Sequence, residues 1–124
     1  MKQSKLMKKI TTTLDELKIP YSLNVSYRDC LSPLGYPLLW KLRLTWRGSV
    51  VLVEERYHDI SRVPNPQRLR QVNTIKDNYA LSHKIPLLLI WDTDSSLINT
   101  EWLSRQLDLI TTQDFGKKTY LNPK

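Results

Sequence analysis

Residues 50–59 consist of four apolar residues followed by a polar cluster, Val50-Val51-Leu52-Val53-Glu54-Glu55-Arg56-Tyr57-His58-Asp59. A short apolar run rich in β-branched residues is typical of a buried strand. The polar residues would then lie where this strand reaches the open edge of a sheet. Many α/β proteins build their sites at such an edge, although the chemistry has to be argued from the residues themselves.

Two further strands and a helix are predicted on the N-terminal side of this run. Residues 38–47 alternate, which predicts a strand with Leu38, Trp40, Leu42, Leu44 and Trp46 on one face and Lys41, Arg43, Thr45 and Arg47 on the other. Gly48 predicts a tight turn, so this strand and the apolar run should form a hairpin. A strand over residues 19–28 precedes it, after a first helix whose apolar stripe is Leu6, Ile10, Leu14 and Leu17.

A helix, a strand and a helix are predicted on the C-terminal side. Asn65 is a candidate N-cap for a second helix with Pro66 at its first position. Residues 85–91 form another apolar run, and a strand-helix-strand unit predicts parallel strands. A final helix covers residues 99–111. The predicted order is therefore α-β-β-β-α-β-α in a single domain, residues 1–111, followed by a C-terminal tail, residues 112–124.

Composition indicates a folded cytoplasmic protein with a basic surface. The 124 residues carry a net charge of +7, and the single Cys30 excludes an internal disulfide. No stretch approaches the roughly 20 apolar residues that a membrane span needs. Residues 41–84 carry nine basic and four acidic side chains, whereas residues 85–114 carry one and five. This asymmetry favours a face that binds a polyanion, and a solvated charged face is the alternative.

The candidate phosphate-binding residues form a stripe on the polar face of the second strand that continues through the following loop and helix. Its members are Lys41, Arg43, Arg47, Arg56, Arg62, Arg68 and Arg70.

The polar cluster offers candidate residues for metal binding and proton transfer. Glu54 and Glu55 should point to opposite faces of the strand, and we prefer Glu54 as a ligand of Mg²⁺. The alternative is a surface salt bridge with Arg56, Arg43 or Lys41. His58 is a candidate general base because its pKa lies near working pH, and a lone surface histidine is the alternative.

Several local motifs resemble the restriction-endonuclease-like (PD-(D/E)XK) superfamily, and the closest branch is that of the very-short-patch-repair and EDxHD homing endonucleases. The motifs are the helix-to-strand entry Ile10 to Tyr21, the apolar strand and acidic turn Val50 to His58, the helix Asn73 to Ala80 and the strand Ile85 to Trp91. The resemblance covers residues 6–111. The chain departs from the family pattern where Leu52 and Asn73 replace carboxylates and Glu55 replaces a glycine.

The resemblance implies an α/β fold with a mixed central sheet of about four strands flanked by three helices. It also implies a DNA-binding hydrolase that cleaves phosphodiesters with Mg²⁺ held partly by Glu54. Asp59 would be a second metal ligand or would orient His58, and both would activate water. Lys76 would approach the scissile phosphate; the alternative is a solvent-exposed pair with Asp77 or Asp108.

The departures leave a second hypothesis open, in which the fold is kept without catalysis. Such a module would bind nucleic acid or a partner protein. Small nuclease-like domains are often carried by phages and mobile elements, so a host protein is a third candidate partner. If the chain cleaves both DNA strands, a homodimer would supply the two sites.

Overall fold

The structure, a computed structural model, describes residues 4–112. The helices are α1 (Lys5–Glu16), α2 (Pro66–Ser82) and α3 (Thr100–Thr111), and the strands are β1 (Tyr21–Leu31), β2 (Pro37–Trp46), β3 (Ser49–Arg56) and β4 (Leu87–Trp91). Two short 3-10 turns occupy Ile60–Arg62 and Asp92–Leu97. The predicted order of elements is therefore confirmed. Of the predicted tail, residues 113–124 lie outside the described residues.

The four strands form one mixed sheet in the order β1-β2-β3-β4. β2 pairs antiparallel with β1 and with β3, and β3 pairs parallel with β4. Both the hairpin and the parallel pair were expected. The described residues form an α/β structure with three helices, none of which is long and apolar enough to span a bilayer.

Local chemistry explains where several elements begin. Asn65 accepts a hydrogen bond from the Arg68 N–H and Pro66 opens α2, as the sequence predicted. The tight turn between β2 and β3 contains Arg47 and Gly48, whose φ angles are +49° and +84°. Positive φ at both positions is typical of the type I′ turn that matches the twist of a hairpin.

Apolar side chains pack into two clusters, one on each face of the sheet. α1 and α3 pack on one cluster, and α2 packs on the other. β3 shows the alternation that separates them, since Val51 and Val53 belong to the α1–α3 cluster and Leu52 belongs to the α2 cluster. β4 alternates in the same way, so both strands are buried on both faces.

β2 changes face in its middle. Leu38 and Trp40 belong to the α2 cluster, whereas Leu42 and Leu44 belong to the α1–α3 cluster. In a regular strand these four side chains would share one face. Between Trp40 and Leu42, the Lys41 N–H donates to the Glu54 side chain at 2.6 Å. The expectation of one uninterrupted apolar face over residues 38–46 is therefore wrong: buried and exposed residues keep alternating, but the buried side chains on either side of Lys41 belong to different clusters.

β1 changes face beside the same point. Asn24 has a φ of +52°, a left-handed conformation that asparagine tolerates better than most residues. Before it, Tyr21 packs on the α1–α3 cluster; after it, Val25 and Tyr27 pack on the α2 cluster. The two strands stay paired on both sides of Asn24, so they change face together.

Candidate functional site

Glu54 and Lys76 form an ion pair inside the protein. Glu54 lies on β3 and points toward α2, where the Lys76 Nζ atom lies 2.9 Å from its Oε1 atom. Glu54 is 3% exposed and Lys76 is 6% exposed. The structure thus brings together two predicted catalytic residues from two different elements.

Further contacts hold this pair in place. The Glu54 Oε2 atom accepts the Lys41 N–H at 2.6 Å. Lys76 Nζ donates to the Leu39 carbonyl at 2.7 Å and lies 5.3 Å from the centre of the Trp40 ring. Both carboxylate oxygens of Glu54 are therefore bound by groups of the chain itself. Neither alternative for Lys76, a pair with Asp77 or a pair with Asp108, is present.

A second ion pair lies next to the first. The Arg56 guanidinium binds both carboxylate oxygens of Asp77, at 2.7 and 3.4 Å. Arg56 is 6% exposed, and its Nε atom is buried without a hydrogen-bond partner. Two residues of β3 are thus each paired with a residue of opposite charge on α2: Glu54 with Lys76, and Arg56 with Asp77. Because Arg56 is buried, it is not exposed to solvent like other cations of the predicted phosphate-binding stripe.

His58 and Asp59 lie on the surface beyond the end of β3. The His58 N–H donates to the Asp92 Oδ1 atom at 3.1 Å. Asp59 caps the 3-10 turn at Ile60–Arg62 and accepts from the Ser61 hydroxyl and N–H at 2.6 and 3.0 Å. These hydrogen bonds, the hydroxyl above all, lower the pKa of Asp59. Both residues are exposed, whereas Glu54 is buried.

The predicted metal ligands Glu54 and Asp59 do not fit a Mg²⁺ site as the structure places them. The Glu54 oxygens bind Lys76 and the Lys41 N–H, and the Asp59 Oδ1 atom binds Ser61. Within residues 4–112, no three His, Cys, Asp or Glu side chains are grouped so as to hold a metal ion.

Glu55 points to the opposite face from Glu54, as expected for neighbouring strand residues. Its Oε1 atom accepts from the Ser4 hydroxyl at 2.9 Å, at the start of α1. The predicted surface salt bridges of Glu54 with Arg56, Arg43 or Lys41 are absent, since its cationic partner is Lys76.

The predicted basic stripe is divided between the two faces of the sheet. Arg43 is half-buried and lies 6.0 Å from the centre of the Tyr27 ring, on the α2 face. Arg47 reaches Asp108 of α3, on the other face, at 3.0 Å. A single stripe of Lys41, Arg43 and Arg47 is therefore wrong, because Arg47 lies in the turn beyond the end of β2, where the alternation of the strand no longer applies.

Of the predicted nucleic-acid-binding residues, those that are exposed without an ion pair lie mainly around the start of α2. Among the predicted nucleic-acid-binding residues in the described part of the chain, four are exposed and form no ion pair: Lys41, Arg62, Arg68 and Arg70. The last three lie within nine positions of one another, on the segment that follows β3 and the first turn of α2. This segment is the part of the predicted basic surface where exposed, unpaired arginines are grouped.

A polar cluster between β1 and the end of α2 was not predicted from the sequence. The Tyr79 hydroxyl donates to the Asp29 Oδ1 atom at 2.8 Å, and the His83 ring stacks on Tyr79 at 3.9 Å between centres. The hydrogen bond from Tyr79 lowers the pKa of Asp29. Burial raises the pKa of Tyr79, and its hydrogen bond to the Asp29 carboxylate raises it further. The i, i+4 spacing of Tyr79 and His83 was the only available signal.

This cluster is not a hydrolytic triad, although Ser82, His83 and Asp29 are within reach of one another. The His83 Nδ1 atom lies 2.9 Å from the Tyr79 carbonyl and 3.2 Å from the Ser82 hydroxyl. A carbonyl oxygen only accepts and lies closer to Nδ1 than the hydroxyl does, so the arrangement does not present Nδ1 to the hydroxyl as a base. The cluster therefore clamps α2 to β1.

Comparison of the chain with family models, curated proteins and solved structures finds no match. The family resemblance therefore stays a prediction.

Proposed function

We propose that this chain is a nucleic-acid-binding module of restriction-endonuclease-like architecture that does not hydrolyse its ligand. One observation carries the proposal: both carboxylate oxygens of Glu54 are bound inside the protein, by Lys76 and by the Lys41 N–H. Glu54 therefore acts as a structural anion between β2, β3 and α2.

Recruiting Glu54 to a metal ion would require this arrangement to come apart. Mg²⁺ takes oxygen ligands and usually keeps several waters, which requires access to solvent. At 3% exposure Glu54 has no such access. Removing it from Lys76 would leave a buried ammonium without its counter-ion, at a cost of about 3–5 kcal/mol.

The exposed cations support a role in binding. The chain has a net charge of +7, and Arg62, Arg68 and Arg70 are exposed without acidic partners among the described residues. Arginine binds phosphate through a planar fork of N–H donors, and such contacts supply the sequence-independent part of DNA affinity.

The test is the salt dependence of binding to a fluorescently labelled DNA duplex, measured by anisotropy. We expect the affinity to fall linearly in log–log form as salt rises, with a slope of about −0.9 for each phosphate contact. Replacing Arg62, Arg68 and Arg70 together by glutamine should make the slope shallower by about 2–3. A charge-matched control carries glutamine at Lys5, Lys8 and Lys9 on α1, across the sheet, and should keep the wild-type slope.

If the wild-type protein does not bind duplex or single-stranded DNA at low salt, the nucleic-acid role is wrong. A protein partner would then be the next hypothesis. Equal loss in the two triple variants would show that net charge alone, and not the segment at the start of α2, drives binding.

Metal-dependent hydrolysis of DNA is the second candidate function. The observation in its favour is that Glu54 and Lys76, which the family resemblance assigns to catalysis, meet at 2.9 Å although they lie on different elements. A plasmid-nicking assay with Mg²⁺ and with Mn²⁺ separates the two functions. Wild type should be compared with His58→Ala and with the control His83→Ala, which changes the other histidine of the chain.

We expect none of the three proteins to nick the plasmid. Metal-dependent nicking that His58→Ala abolishes and His83→Ala retains would overturn the binding-only proposal in favour of the enzyme.

A further inference from the structure

A cleft of about 360 Å³ lies between the segment that follows β3 and the first turns of α2. Its lining residues are Tyr57, Val63, Pro64, Asn65, Arg68, Leu69 and Val72. Small-molecule sites usually have volumes of roughly 300–1,000 Å³. The cleft is therefore large enough for one small planar group.

The walls of this cleft are apolar and include one accessible aromatic ring. Val63, Pro64, Leu69 and Val72 supply aliphatic surface, and Tyr57 is 39% exposed. An accessible tyrosine beside aliphatic side chains offers a planar ligand a ring on which to stack.

The charged side chain that lines the cleft is positive. Arg68 lines it, and no carboxylate does. Arg62 and Arg70 are exposed nearby in the chain and form no ion pair among the described residues. Two acids lie two positions from Tyr57 in sequence: Asp59 is held by Ser61, and Glu55 accepts from the Ser4 hydroxyl. Burial raises the pKa of Tyr57, and the nearby carboxylates of Glu55 and Asp92 raise it further, so the Tyr57 end of the cleft is the more negative one. The Arg68 end thus suits the negatively charged part of a ligand whose planar apolar part lies against Tyr57.

We propose that this cleft receives an unpaired base of a DNA strand, which stacks on Tyr57 while Arg68 binds an adjacent phosphate. A base with its phosphate joins a planar ring to an anion, and this combination matches the aromatic wall and the cationic rim. A base within a duplex is stacked between its neighbours and is not available to the cleft. The inference rests on the proposed function, and it adds a preference for DNA with unpaired bases.

The test compares a labelled single strand of thymidines with a duplex of the same length, by anisotropy at one salt concentration. Tyr57→Ala should weaken single-strand binding by roughly 5- to 150-fold, the range expected for one base–aromatic stack. Duplex binding should change less than about twofold, because phosphate contacts dominate it. Tyr57→Phe keeps the ring and should bind like wild type.

The matched control is Tyr36→Ala, which removes an exposed tyrosine from the loop between β1 and β2. It should leave both affinities unchanged. A second variant, Val63→Trp, fills the cleft without removing Tyr57 and should also weaken single-strand binding alone. Far-UV circular dichroism and the urea midpoint identify any variant that fails to fold, and Val63→Trp then decides in place of Tyr57→Ala.

The outcomes separate this inference from the function on which it rests. If wild type binds neither DNA, the proposed function fails. If wild type binds both and Tyr57→Ala affects neither or both equally, only the cleft assignment is wrong. Tighter binding of a uridine strand than of the thymidine strand, with the same loss in Tyr57→Ala, would assign the cleft to RNA and overturn the assignment to DNA.

Discussion

Replacing Lys76 with methionine removes the counter-ion of a buried carboxylate. Glu54 then keeps only the Lys41 N–H as a partner, and the Leu39 carbonyl loses its donor. Removing one partner of a buried ion pair typically costs about 3–5 kcal/mol. We expect Lys76→Met to lower the free energy of unfolding by this amount, because both side chains are almost completely buried.

The reciprocal change and the double variant show whether the cost comes from the unpaired charge. Glu54→Leu leaves the Lys76 ammonium buried and should cost a similar amount. Glu54→Leu with Lys76→Met removes both charges and leaves the Lys41 N–H as the main unpaired group, which costs about 1–3 kcal/mol. The double variant should therefore be more stable than either single variant.

The measurement is urea unfolding followed by circular dichroism, arranged as a double-mutant cycle. Arg105→Met is the control, because it breaks an exposed i, i+4 pair with Glu101 and should cost only about 0–0.5 kcal/mol. The reasoning fails if each single variant costs no more than this control. It also fails if the double variant is less stable than both single variants.

Three further predictions follow from other contacts. Cys30 is buried, and burial raises the pKa of its thiol. At neutral pH the thiol should therefore react with a disulfide reagent only as fast as the protein opens. Urea should speed the reaction, and an immediate reaction in the native state would contradict this prediction. Tyr79→Phe should raise the pKa of Asp29 in an NMR titration, since the Tyr79 hydroxyl lowers it. Because the pKa of Asp29 is lowered, its carboxylate stabilises the folded protein at pH values above the unfolded pKa of about 3.9. This stabilisation is lost as the pH falls through the folded pKa. Wild type should therefore lose more stability in acid than Tyr79→Phe. Asn65→Ala should cost about 1 kcal/mol or more in urea unfolding, because it removes the cap of α2 at a φ of +52°, whereas Asn65→Gly should cost only a few tenths.

Much of the fold was predictable because it depends on local signals. The apolar run of β3, the positive-φ turn at Gly48 and the Asn65–Pro66 start of α2 each depend on neighbouring residues. The boundaries were less accurate: β1 continues to Leu31 instead of ending at residue 28, and β4 begins at Leu87 instead of residue 85. Strand ends depend on pairing with other strands, which the local pattern does not contain.

The candidate site was predicted less well, for a physical reason. The sequence shows that Glu54 lies at the end of a strand, but its partner Lys76 is 22 positions away and meets it only through tertiary packing. Arg56 was predicted to be a phosphate-binding cation, because its partner Asp77 is 21 positions away in sequence and meets it only in the folded protein. The change of face in β2 coincides with a side-chain-to-backbone hydrogen bond at Lys41 and with the left-handed Asn24 of β1, and no periodicity reveals either.

That change of face ties the two sides of the sheet together. The first half of β2 packs in the cluster under α2, and its second half packs in the cluster under α1 and α3. Glu54 accepts a hydrogen bond from the backbone at the point where the two halves meet. The buried carboxylate thus lies at the junction of the two packing units, where β1 and β2 pass together from one to the other. Loosening either face displaces the same segment of backbone, so we expect the protein to unfold as one cooperative unit rather than one face at a time.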